Sequence, residues 1–94
     1  LEHNAAAVAR MGCINTPERL TLVLTVLGLG KASFGDFHRA MPDETSHKLR
    51  HDMDTLERLE LVEKRHDGRK VYWIANPKSV NDVAAVMRDF LALC

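Results

Sequence analysis

Ninety-four residues suffice for one domain, and a chain that short buries a modest share of its surface and gains from dimerisation. Hydrophobic residues make up 46% and charged residues 28%, a balance that excludes a disordered chain. Lys+Arg and Asp+Glu stand at 13 each, which argues against a general nucleic-acid coat protein but leaves room for a specific binder, where the placement of charge matters more than its sum.

Asn4 to Met11, NAAAVARM, is Ala-rich and reads as a helix that packs on a partner chain. Thr16-Pro17-Glu18 is a helix start, with Thr as N-cap, Pro at the first helical position and an acid in the first turn. The helix is expected to run to about Leu27, with Leu20, Val23, Leu24 and Leu27 on one face and Leu22 and Val26 widening the arc. That width predicts a central helix buried on two sides, ended by Gly28 and Gly30. Ser33 caps a short helix from Phe34 to Met41, stopped by Pro42-Asp43. Its apolar stripe is Phe34, Phe37 and Met41, with His38 as a boundary residue at its edge.

The next helix is expected over Glu44 to Leu59. Leu49, Met53 and Leu56 stack on its inner face, flanked by Leu59, and His47, Arg50, His51, Asp54 and Arg58 stand opposite. A short helix followed closely by this one is the sequence form of a helix-turn-helix. Leu61-Val62 opens a strand, and Asp67-Gly68 signals a tight hairpin. The expected register pairs His66 with Arg69, Lys64 with Val71 and Val62 with Trp73, so that Val62, Val71 and Trp73 share the core side. A last helix starts at Asn76-Pro77, or at Ser79 with Asp82, and runs to the C-terminus. Its apolar residues cover more than half the circumference, which predicts a dimer interface. Val83, Val86, Met87, Phe90 and Leu91 of this helix, with Val8 and Met11, are the expected contacts.

The organisation is mainly α with a β-hairpin wing, a single winged helix-turn-helix domain over residues 1–94. Such a layout binds double-stranded DNA with the 44–59 helix in the major groove and the 62–75 wing on the backbone. Thr45, Ser46, His47, Lys48, Arg50 and His51 are the candidate groove contacts, a run with no acid in it. Lys64, Arg65, Arg69 and Lys70 suit phosphates, which fix register without reading sequence. The bland readings are a solvated helix face carrying an Arg50–Asp54–Arg58 charge ladder, in which Asp54 and Arg58 pair with each other. For the wing, the bland reading is a charged hairpin that resists edge-to-edge pairing. A protein-interaction module without DNA binding is the alternative function, kept open by Asp52, Asp54, Glu57 and Glu60.

Thr16-Pro17-Glu18-Arg19-Leu20 resembles the D-P-x-R-L opening of the second helix in ArsR/SmtB-type bacterial regulators. Leu61 to Tyr72, LVEKRHDGRKVY, resembles their wing, roughly L-V-x-x-R-x-x-G-R-x-x-Y. The resemblance covers about Met11 to Cys94 and implies a homodimeric repressor on a palindromic operator. The family's recognition helix usually reads S-x-H-L. Arg50-His51-Asp52-Met53 stands there instead, so base preference does not carry over.

Metal, cofactor and enzyme readings find little support. His47 and His51 stand i,i+4, a spacing that can chelate, but the sequence places no third ligand. The family's metal signatures are missing, so neither metal nor cofactor is expected. No nucleophile elbow, P-loop or Gly-rich dinucleotide turn is present, so no enzyme is expected. Cys13 and Cys94 form no CxxC pair, and a redox pair between them is left open. That cysteine usage, with no signal peptide and no apolar run near ~18 residues, makes the cytoplasm the expected compartment and a membrane span an unexpected one.

Overall fold

The computed structural model describes residues 5–14 and 16–93. The elements are α1 (Ala5–Cys13), α2 (Pro17–Leu29), α3 (Phe34–Ala40), α4 (Ser46–Arg58), β1 (Val62–Asp67), β2 (Lys70–Ala75) and α5 (Pro77–Leu93). Asn4 and Cys94 lie outside the described residues, and with Cys94 the Cys13–Cys94 pairing.

Local chemistry starts α2, α3, α4 and α5. The Thr16 hydroxyl accepts from the Arg19 N–H at 3.3 Å, and Pro17 occupies the first turn of α2. Ser33 and Asp36 form a reciprocal capping box on α3. The Ser33 backbone N–H, and then the Arg39 side chain, hold the Asp36 carboxyl below the usual carboxylate range. Thr45 caps α4 by accepting from the Lys48 N–H at 3.1 Å. Asn76 caps α5 by accepting from the Ser79 N–H at 3.3 Å, which decides between the two starts read from sequence.

Two helix ends are set by residues in left-handed backbone, Gly30 and Glu60. α2 continues through Gly28 to Leu29, and Gly30 alone terminates it at φ 80°, its N–H bonded to the Val26 carbonyl at 2.9 Å. One glycine inside a helix costs only about 1 kcal/mol, and packing of the buried Leu22, Val23 and Val26 outweighs it. α4 ends in a Schellman motif: Leu61 N–H reaches the Leu56 carbonyl at 3.1 Å and Glu60 N–H the Glu57 carbonyl at 2.9 Å. The residue in the left-handed position is Glu60, at φ 61°, where glycine is usual. Arg10 of α1 grips this corner, donating to the Leu59 carbonyl and pairing with Glu60 at 3.2 Å.

The hairpin register differs from the expected one. Asp67 pairs with Lys70, His66 with Val71, Lys64 with Trp73 and Val62 with Ala75. Gly68 and Arg69 therefore make the turn, and only Gly68 has a positive φ, 62°. A turn with glycine first needs left-handed backbone at that residue alone, so Asp67 stays extended. Each partner lies two residues further along β2 than expected, and a slide of two preserves which side chains share a face. Val62, Val71 and Trp73 still point one way. Ala32, between α2 and α3, adds a two-bond bridge to Trp73 at 3.0 and 2.8 Å.

The core gathers Leu22, Val23 and Val26 of α2, Phe37 of α3, Leu49, Met53 and Leu56 of α4, Leu61, Val62, Trp73 and Val83. The expected two-sided burial of α2 is not complete within the chain. Leu24 is 56% and Leu27 45% exposed, because the buried face centres on Leu22 and Val26. Val83 and Val86 are buried in the chain's own core, so neither is an exposed contact for a partner.

Candidate nucleic-acid interface

The first two turns of α4 carry the predicted reading face. Thr45, Ser46, His47, Lys48, Arg50 and His51 are all exposed, with Leu49 between them fully buried. Asp52, the first acid, is not on that face: it is 1% exposed. Arg19 of α2 reaches its Oδ1 at 3.2 Å, and Lys48 reaches its Oδ2 at 2.6 Å. A buried carboxylate is tolerable only when paired and hydrogen-bonded, and this one has a cation on each oxygen. It pins α4 to α2 and turns the Lys48 ammonium back toward the protein. Asp52 completes the 49, 52, 53, 56 face, a spacing that could have marked it as inward from the sequence.

Two polar residues of α4, Arg50 and Ser46, are contacted from α3. The Arg50 guanidinium lies over the Phe34 ring, 4.8 Å from its centroid. Ser46 Oγ is 3.0 Å from His38 Nε2, and His38 meets the Phe34 ring edge-on at 5.0 Å. The expected Arg50–Asp54–Arg58 ladder does not form among the described residues. Arg50 is drawn to Phe34, and Arg58 donates to Thr55 at 3.3 Å. His47 and His51 gain no third ligand, since no group of three His, Cys, Asp or Glu side chains placed to hold a metal occurs among the described residues.

The wing is differently built. The two-residue period of a strand sends Lys64 to the face of Trp73, and Arg65 and Lys70 to the other. The Lys64 ammonium lies 5.8 Å from the Trp73 ring centroid. Arg65 pairs with Glu63 at 2.7 Å. Arg69 and Lys70 at the tip are exposed and make no salt bridge with other described residues. Lys31, unnoticed in the sequence, stands over Tyr72 at 5.1 Å and adds a cation at the base of the hairpin.

α1 packs along α5, and their outer surface is apolar. Val8 is 48%, Met87 40%, Phe90 60% and Leu91 67% exposed, with Met11 half-buried among them. Met11, Met87, Phe90 and Leu91 line an open groove of about 380 Å³.

Solved structures share this architecture. BigR, a transcriptional repressor from Xylella fastidiosa, superposes with a TM-score of 0.67 at 24% identity, over 88% of this chain and 85% of its own. Diamide-treated YodB from B. subtilis gives 0.76 at 17%, over 90% and 85%. An ArsR-like transcriptional regulator from Rhodococcus gives 0.70 at 19%, over 94% and 81%. The fold is that of the ArsR-type winged-helix regulators. No family model matches the chain, and no curated protein does. In this fold α3 and α4 form the helix-turn-helix and β1–β2 the wing. No helix among the described residues is long and apolar enough to cross a membrane.

Proposed function

We propose that this chain is a sequence-specific DNA-binding transcriptional regulator, a dimeric repressor that places α4 in the major groove and the wing on the phosphate backbone. One observation carries the reading: the exposed face of the first two turns of α4 is free of acid, because Asp52 is buried between Arg19 and Lys48. The groove face thus presents Ser46, His47, Arg50 and His51, donors suited to base edges and phosphates. Overall neutrality weighs less once Asp52 is withdrawn from the surface, the exposed Asp54 lying one turn beyond Arg50. Similar folds in proteins named as transcriptional regulators support the same reading.

The dimer reading rests on the apolar surface of α1 and α5. Val8, Met11, Met87, Phe90 and Leu91 are the proposed contacts, and two copies related by a two-fold axis would meet a palindromic operator at half-sites about 10 base pairs apart. Phe90→Asp is expected to give a folded monomer, since Phe90 is 60% exposed and its loss leaves the chain's own core intact. Sedimentation of wild type as a monomer at micromolar concentration would remove the dimer. The DNA reading is tested by selection from a random duplex pool, followed by a salt titration of binding. A selected sequence and a steep loss of affinity with salt are expected. Binding that ignores salt, or no binding, would leave a protein-interaction module.

A further inference from the structure

We propose that Phe34 and His38 of α3 are positioning residues for DNA readout, setting Arg50 and Ser46 of α4 before DNA arrives; the inference rests on the DNA-binding reading above. Arg50 has no carboxylate partner among the described residues. What holds it is the Phe34 ring, with the guanidinium 4.8 Å from the centroid. The quadrupole of an aromatic face attracts a cation, and a planar guanidinium stacks on it. Phe34 is itself fixed on three sides: Phe37 edge-on at 6.3 Å, Trp73 at 6.4 Å and His38 edge-on at 5.0 Å. A flexible side chain held on a fixed platform loses less freedom when it binds, and so contributes more to affinity.

His38 acts on Ser46 through the 3.0 Å contact between Nε2 and Oγ. An unprotonated Nε2 accepts the Ser46 O–H and leaves Oγ as an acceptor toward DNA. A protonated Nε2 donates to Oγ and frees the Ser46 O–H to donate. The ring therefore decides which kind of group Ser46 offers to a base edge or a phosphate. The same cluster reaches the wing, since Trp73 carries Lys64 over its ring at 5.8 Å. One aromatic group thus backs a cation of α4 and a cation of the hairpin.

The test compares wild type, Phe34→Leu, Phe34→Tyr and His38→Ala on the selected duplex and on mixed-sequence DNA. Phe34→Leu keeps apolar bulk and removes the ring face. It should weaken the selected site by about 2–5-fold, leave mixed-sequence binding unchanged, and add nothing in an Arg50→Ala background. Phe34→Tyr, which keeps the ring, should restore wild-type behaviour. His38→Ala should alter the selected sequence, and do so no longer once Ser46 is Ala. Equal losses on both DNAs, or unchanged affinity and sequence in both folded variants, would overturn the inference while DNA binding by wild type stands. Failure of wild type to bind any DNA would overturn both. If Phe34→Leu does not fold, the His38→Ala and Ser46→Ala pair decides alone.

Discussion

The first turns of α4 and the tip of the wing both carry cations, yet these cations are held in opposite ways. On α4, Lys48 is bound to Asp52 and Arg50 lies on Phe34, so each charged side chain near the groove face has a backing partner. At the wing tip, Arg69 and Lys70 are exposed and make no salt bridge with other described residues. A side chain that must meet one base edge benefits from a fixed direction. One that must meet a phosphate benefits from reach, because the backbone presents the same charge at every step. On the proposed function, this difference suits α4 to readout and the wing tip to anchoring, and each role can be broken.

The largest effect is expected at the buried carboxylate. Arg19→Met with Lys48→Met leaves Asp52 buried without either cation, which should cost about 3–5 kcal/mol of stability, measured by urea denaturation. A loss below 1 kcal/mol would mean that Asp52 turns to solvent and that α4 is not pinned to α2 as described. Next come the reading residues. Arg50→Ala and His47→Ala should each weaken a selected site by about 1–3 kcal/mol and relax its sequence preference. Arg69→Ala should act more weakly and alike on all DNA, with a salt dependence shallower by roughly one ion. A wing variant that changed base preference while the α4 variants did not would reverse the two roles.

The smallest effect lies at the joint between the two regions. Glu60 holds a left-handed backbone at φ 61°, a conformation that costs a non-glycine residue about 1–2 kcal/mol. Its pairing with Arg10 is 71% exposed on the Glu60 side, and such pairs contribute about 0–1 kcal/mol. Glu60→Gly should therefore stabilise the chain by about 0.5–1 kcal/mol, read as a rise in thermal midpoint. A fall would show that the Arg10 contact outweighs the backbone strain.

Much of this layout was legible beforehand because its signals are local. Thr16 and Ser33 cap helices through hydrogen bonds spanning three residues, and Leu49, Met53 and Leu56 repeat at helical spacing, whereas α4 starts at Ser46 behind Thr45 and not at Glu44. Asp67-Gly68 marked the hairpin for the same reason, though not which two residues turn. The misreadings share a cause. Whether Leu24 or Leu22 of α2 faces inward depends on where the other helices pack, and both lie within one apolar arc. Val83 and Val86 share an apolar stripe with Phe90 and Leu91, and a stripe does not say which core it fills.

The amino-acid order by itself determined the element sequence, the starts of α2 and α3, the inward faces of α4 and the hairpin, and the acid-free run from Thr45 to His51. Each is set by dihedral preference, periodicity or a contact within one turn. Only the tertiary structure decided that Asp52 is inside, that Arg50 lies on Phe34, that Ser46 meets His38, and that Glu60 takes the place of a glycine. These depend on Arg19, α3 and Arg10 arriving from elsewhere in the chain. A carboxylate is buried or solvated according to whether cations come to meet it, and Arg19, 33 positions away along the chain from Asp52, is brought there by the fold.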